Sequence, residues 1–308
     1  MSKSKRIRAN QAAQAAVAKP MEINYDLYPW LIPGGKLTQL HIDTLRKLKV
    51  AIGIPMYGGL CYGAFAMSLA QLHVFADRIG MQLVVQTLFN ESLIQRGRNA
   101  ITHLALKQDP DYLLFIDSDI GFAPLQVLEM ILCAELNKEP LVGATYSKKE
   151  INWEKVVKHV ANGVHHQWLQ HCAGSHVIIP KNSDSTFVEF FKPFPVKHLG
   201  TGFMLISREA FAKIKPASKI YNNNHIPYTP FGEQVIAYFD CEIRNEPDAK
   251  QDIYMSEDYL FCARAADAGI TPKLMPWINL VHYGTIPFDG CYVCTQEGYI
   301  HPVKEPKK

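Results

Sequence analysis

Residues 111–124 read DYLLFIDSDIGFAP, and the fold turns on them. Tyr112 to Ile116 are consecutive apolar or aromatic residues, with Asp109-Pro110 before them and Gly121 and Pro124 after. A short unbroken apolar run between turn formers predicts a strand buried on both faces. It ends in two carboxylates one residue apart, Asp117 and Asp119. Carboxylates at the mouth of a buried strand are costly to desolvate and repel each other, so a cation is expected to meet them.

On either side, strand-like and helix-like segments alternate. LKVAIGIPMYG (48–58) reads as a first buried strand closing in a Pro/Gly loop, and residues 61–79 carry a helical period with Phe65, Leu69, Leu72 and Phe75 on one face. MQLVVQTLF (81–89) is a second strand, ESLIQRGRNAITHLALKQ (91–108) a loop and helix, and DYLLFIDSD (111–119) the third strand. PLQVLEMILCAELN (124–137) is an amphipathic helix opened by Pro124, and EPLVGATY (139–146) a fourth strand. Such alternation predicts an α/β fold with a mostly parallel central sheet and helices on both faces. Ligands of such sheets bind at the carboxyl ends of the strands, where Asp117 and Asp119 stand.

The pattern loosens after residue 150. Residues 151–198 mix short β-like runs (HVIIP, TFVEFF) with polar loops, and GTGFMLISREAFAKI (200–214) gives a glycine-rich turn, a strand and a helix. Residues 216–252 read as an irregular region, SEDYLFCARAADAGI (256–270) as a helix stopped by Gly269, and KLMPWINLVHYGT (273–285) as one last strand carrying His282 at its end. The expected organisation is a flexible basic tail over 1–40, one domain over 41–290 with a more irregular second half, and a C-terminal tail over 291–308.

Composition narrows the functional classes. Of 308 residues 48% are apolar, enough for a large core, and a net charge of +3 is too weak to argue for nucleic-acid binding by itself. No window of about 18 apolar residues is present, so no membrane span is expected. The N-terminal stretch MSKSKRIRANQAAQAAVAKP lacks the apolar core of a secretory signal, and the 7 cysteines are unpatterned, which together point to a cytoplasmic protein. Cys291 and Cys294 form a C-x-x-C without a second pair at zinc spacing and read as a turn.

Two carboxylates with a one-residue gap can share Mn²⁺ or Mg²⁺, phosphate oxygens completing the shell. The alternative is a turn in which Asp-Ser-Asp caps the next element. Glu257 and Asp258 open a helix behind Ser256, a cap position. They are ordinary helix-start acids, or one is a general base for an acceptor hydroxyl. His282 is a structural histidine or, with the two aspartates, part of a ligand set that suits Mn²⁺.

Taken together, Asp117-Ser118-Asp119, Gly200-Thr201-Gly202, Ser256-Glu257-Asp258 and His282 occur in the order seen in GT-A fold, nucleotide-sugar-dependent glycosyltransferases. The chain resembles that class over roughly residues 48–286, in the style of family 2 and its small phage and bacterial versions. IPMYGG, RGRNAI, LVGATYSKK and GTGFMLISREAF flank the motifs.

The resemblance implies a hexosyl-type transferase with a Rossmann-like sheet, a nucleotide-diphosphate sugar as donor, and Mn²⁺ or Mg²⁺. It places Asp117 at the ribose or in the metal shell, Asp119 on the metal and His282 completing that site. It makes Asp258 the base of an inverting transfer, supported by Glu257. Pro55 and Tyr57 would line the base pocket, and Gly200 and Gly202 would let backbone approach sugar and acceptor.

Arg96, Arg98 and Asn99 open a helix below the pocket, where an arginine can pair with Asp117 or the phosphates, or face solvent. Lys148 and Lys149 reach the diphosphate or lie in a solvated loop. His165, His166 and His171 read as an acceptor-side loop, and Trp153, Trp168 and Trp277 as sugar platforms or core. The acceptor is open: a glycan, a protein or modified DNA.

Two other readings share the layout. One is a non-catalytic nucleotide-sugar-binding protein. The other is a sugar-phosphate nucleotidyltransferase, whose phosphate loop needs basic residues that IPMYGGLCYG lacks.

Overall fold

The computed structural model describes residues 25–176, 178–180, 188–189, 191–224, 230–245 and 251–290. Cys291, Cys294, the C-terminal tail and residues 1–24 of the N-terminal tail lie outside the described residues.

The first half alternates as the pattern requires. It runs α1 (Gln39–Leu45), β1 (Lys49–Met56), α2 (Gly63–Ile79), β2 (Gln82–Phe89), α3 (Ile94–Leu106), β3 (Tyr112–Ile116), β4 (Ile120–Phe122), α4 (Pro124–Asn137) and β5 (Leu141–Gly143). The middle carries α5 (Trp153–Ala161), α6 (Leu169–Cys172), β6 (Ile178–Pro180), β7 (Phe194–Leu199), β8 (Phe203–Ser207) and α7 (Arg208–Ile214). Two hairpins follow, β9 (Lys219–Asn222) with β10 (Gln234–Ala237) and β11 (Glu242–Arg244) with β12 (Ile253–Met255). The chain then forms α8 (Glu257–Asp267), β13 (Lys273–Leu274), β14 (Leu280–Tyr283) and β15 (Pro287–Phe288).

Eight strands form the central sheet in the order β2-β1-β3-β8-β5-β13-β7-β6. The pairings are parallel at β2-β1, β1-β3 and β5-β13 and antiparallel at β3-β8, β8-β5, β13-β7 and β7-β6, so all strands but β8 and β7 point one way. This is the mostly parallel, Rossmann-like α/β sheet expected.

Alternate residues of each strand feed opposite faces. Val50, Ile52, Leu114, Ile116, Phe203 and Leu205 join Phe65, Leu72, Val127 and Ile131 of α2 and α4. Ala51, Leu113, Phe115, Met204 and Ile206 join Ile101, Phe211 and Phe261 of α3, α7 and α8. Every residue of β3 is buried. At about 2 kcal/mol each, that run contributes on the order of 10 kcal/mol, enough to hold charged groups at its end.

Two expectations change. The third strand does not run through Asp117–Asp119, because it turns there into β4, which pairs with β14 and not with the main sheet. The stretch 273–285 is not one strand. Pro276, which has no N–H to give a ladder, falls inside it. Met275 N–H donates to Gly143 O at 2.8 Å and Ile278 N–H to Met275 O at 3.3 Å, which divides it into β13 and β14 in different sheets. Among the described residues no helix is long and apolar enough to cross a membrane.

Candidate active site

Asp117-Ser118-Asp119 is a turn held by separate segments. Ile120 N–H donates to Asp117 O at 3.0 Å, closing it. Asp117 N–H donates to Gly202 O at 2.9 Å, Tyr62 N–H to Ser118 O at 3.0 Å and Tyr283 N–H to Asp119 O at 2.8 Å. The β7–β8 turn, the loop after β1 and strand β14 therefore meet at this turn, beyond the carboxyl end of β3.

Around Asp119 the turn is cationic. Lys149 Nζ lies 2.5 Å from Asp119 Oδ2, and His282 Nε2 lies 3.5 Å from the same oxygen. Burial pushes the Asp119 carboxyl upward, but the contacts with His282 and Lys149 outweigh it and hold the group below its usual range. The other ring nitrogen of His282, Nδ1, is 2.8 Å from Ser147 O. A carbonyl only accepts, so Nδ1 carries the hydrogen. Nε2 then carries a hydrogen toward Asp119 when the ring is protonated, and the lone pair that a metal would take when it is neutral. An imidazole oriented by a backbone carbonyl and aimed beside a carboxylate is a donor set that suits Mn²⁺.

Asp117, expected in the metal shell, faces elsewhere. Arg98 Nη2 donates to its Oδ1 at 3.0 Å. Its Oδ2 stands 2.8 Å from the point that a Cβ on Gly202 would occupy. The two aspartates are thus not arranged around one ion, and among the described residues no group of three or more His, Cys, Asp or Glu is placed to hold a metal. Asp119 and His282 are the two of the expected ligands that lie side by side.

Arg98 is only 3% exposed. Its Nε donates to Glu257 Oε1 at 3.3 Å, and its guanidinium lies 5.3 Å over the Phe115 ring. Desolvation acts to lower its pKa, but Asp117 and Glu257 outweigh that and raise it, so the charge is secure. Burial raises the Glu257 carboxyl above its ordinary range, with Arg98 opposing and Asp258 adding to the rise. Glu257 is therefore a clasp between α3 and α8 by way of Arg98.

Tyr146 sits between the two halves of the site. Its ring packs edge-on against His282 at 5.0 Å, and Gly202 N–H donates to its hydroxyl at 3.3 Å. Burial and the charges of Asp117 and Asp258 push its phenol well up, so it stays protonated. A Cβ on Gly200 would stand 2.7 Å from the Tyr146 hydroxyl and one on Gly202 2.5 Å from it. The room that these glycines leave is filled by Tyr146 and Asp117.

Asp258 opens α8 beside this wall. Ser256 occupies the cap position but its hydroxyl does not cap the helix; it donates to Asp258 Oδ1, which also accepts from Tyr259 N–H at 2.9 Å. Among the described residues its other oxygen, Oδ2, accepts no hydrogen bond.

The remaining sequence candidates divide. Tyr57 is 72% exposed where β1 ends, and Pro55 is half-buried two residues before it, within β1. Ser118 contributes its backbone carbonyl, and the buried Thr201 hydroxyl has no hydrogen-bond partner among the described residues. Arg96 does not reach Asp117: its Nε and Nη2 fork onto Glu91 at 2.6 and 2.8 Å. Asn99 donates to Phe239 O at 2.7 Å and accepts from Phe239 N–H at 2.8 Å, so both ends of its amide hold the chain leading out of β10. Trp277 is core, Trp153 is exposed, and His171 pairs with Asp289. Lys148 is exposed, whereas Lys149 is drawn onto Asp119.

Sequence reasoning missed Tyr146 and Ser147. The signal available was TYSKK directly after a short apolar strand, at the same sheet end as Asp117. A cleft of about 250 Å³ lined by His103, Leu106, Lys107, Ile236 and Tyr238 opens at the far end of α3, away from this chemistry.

No family model matches the chain, and no curated protein matches it. Among solved structures it is similar to A197 from STIV, at a TM-score of 0.42 and 14% identity over 84% of this chain and 99% of that one. It is also similar to GalNAc-T7 with UDP, GalNAc and Mn²⁺, at a TM-score of 0.40 and 8% identity over 76% of this chain and 43% of that one. Likenesses this remote assign neither a family nor an activity.

Proposed function

We propose that the chain is a nucleotide-sugar-dependent glycosyltransferase that uses a divalent cation, moving a sugar to an acceptor hydroxyl with inversion. The observation that carries the reading is the convergence of Asp119 and a carbonyl-oriented His282 at the carboxyl end of the sheet, with Asp258 across the Tyr146 wall. Asp119 and His282 would hold Mn²⁺, which supplies charge neutralisation for the departing diphosphate.

The chain's own groups supply the rest. Asp258 accepts the proton of the acceptor hydroxyl through Oδ2, its Oδ1 being fixed by Ser256 and Tyr259. The hydroxyl oxygen bonds to the anomeric carbon as the bond to the diphosphate breaks, and the electron pair leaves with the nucleotide diphosphate. Asp117, held by Arg98 through Oδ1, would accept from the ribose. Tyr57, exposed after β1, offers its ring to the base. Arg96 and Asn99 are left out, being committed to Glu91 and Phe239.

The test is thermal stabilisation by nucleoside diphosphates and nucleotide sugars, with Mn²⁺, with Mg²⁺ and with chelator. A ligand at about a hundred times its Kd adds roughly 2.7 kcal/mol. One nucleotide that shifts unfolding, with the shift lost on chelation, supports the reading; no shift with any removes it. Asp258→Asn is expected to keep donor binding and to lose donor hydrolysis to water by about a hundredfold or more.

A further inference from the structure

Asp119 Oδ2 already carries a cation that belongs to the protein. Lys149 Nζ is 2.5 Å away, while His282 Nε2 approaches the same oxygen at 3.5 Å. An ion about 2.1 Å from that oxygen would lie no more than about 4.6 Å from Nζ, by the distances usual for hard-cation ligands. Two like charges that close, on one carboxylate, exclude each other.

The lysine has somewhere to go. Its side chain is 39% exposed. Its Cδ and Cγ lie only 3.2 and 3.5 Å from the point where a Cβ on Gly284 would stand, so the stem runs over a glycine, beside Phe288. Residue 284 has no side chain to hold the stem there, and four rotatable bonds let the ammonium swing outward.

We propose that Lys149 is the resident counter-cation of Asp119 and competes with a divalent ion for it, so that metal loading displaces the ammonium and frees it for an anionic ligand. This rests on reading Asp119 and His282 as the metal pair of the donor site. Lys149 keeps the carboxylate neutralised before metal arrives, weakens metal binding to the free protein, and delivers a second positive charge once the diphosphate enters.

The experiment is a Mn²⁺ titration of the nucleotide-free full chain, followed by the electron paramagnetic resonance signal of free Mn²⁺ at low salt. Lys149→Met is expected to bind Mn²⁺ about two- to fivefold more tightly than the parent, the range that one partly exposed ion pair supports. Lys149→Arg, which keeps the charge, is expected to stay near the parent affinity. Adding Asp119→Ala to Lys149→Met is expected to abolish the binding. Unchanged or weaker binding in Lys149→Met, with binding still lost in Asp119→Ala, overturns the competition and leaves the metal reading standing. Mn²⁺ uptake indifferent to Asp119→Ala, or uptake by none of the proteins, overturns both.

Discussion

Asp119 keeps its charge in a half-buried site because Lys149 and His282 reach it, and that has a consequence for pH. Its folded pKa is depressed below the ordinary 3.8. Between the two values the unfolded chain binds more protons, so the stabilisation is present above the ordinary value and is lost as pH falls through the folded one. Asp119→Asn is therefore expected to flatten the acid limb of the stability curve. Urea unfolding at about pH 6 should separate parent and variant, and the gap should narrow as pH falls below the ordinary 3.8.

Gly202 belongs to the same scale. A methyl group there meets the Tyr146 hydroxyl at 2.5 Å and Asp117 Oδ2 at 2.8 Å. Gly202→Ala is expected to cost about 1–3 kcal/mol in thermal unfolding, the usual range for overpacking. Tyr146→Phe in the same chain removes the nearest atom and is expected to recover part of the loss, a coupling that a double-mutant cycle reads.

At the scale of elements, Arg98 is the joint between α3, the β3–β4 turn and α8. It bonds Asp117 and Glu257 from a position that is 3% exposed. Removing it leaves Asp117 and the more deeply buried Glu257 without the cation that both contact. Arg98→Ala is expected to cost about 3 kcal/mol or more by urea unfolding, since the uncompensated charges outweigh the lost contact. Arg98→Lys is expected to recover only part of this, because one ammonium cannot reproduce the fork that spans both acids. Asn99, the next residue on α3, does for β10 what Arg98 does for α8, and with backbone groups only.

On the whole-molecule scale the sheet order is decisive. β3 and β5 are neighbours in sequence among the sheet's strands, yet β8 lies between them and runs against both. Half of the sheet thus waits for Phe203–Ser207. We propose that residues 41–290 belong to one domain that also takes in Trp30, Leu31 and Ile32, since these join the core and both core clusters draw on strands from the first and last parts of the sheet. Unfolding of the full chain in urea is expected to be a single transition by circular dichroism and by tryptophan fluorescence. A fragment ending at residue 193 is expected to show no cooperative transition, because β3 and β5 then have no strand to join them.

By itself the sequence determined the layered α/β class, the helices opened by Pro124 and Ser256, and the sheet end at which Asp117 and Asp119 stand. These are local matters: apolar runs of one period, turn formers and breakers set them before any long-range contact exists. Only the tertiary structure decided what each carboxylate faces. Asp117 and Asp119 are one residue apart, yet Arg98 takes the first, and Lys149 and His282 take the second, from segments 19, 30 and well over a hundred residues away. A pairing of that kind depends on the order in which strands enter the sheet, and no periodicity records it. The insertion of β8, the split of residues 273–285 and the packing of Tyr146 into the space left by Gly200 and Gly202 have the same origin: each minimises buried unpaired polar groups and empty volume over the whole molecule.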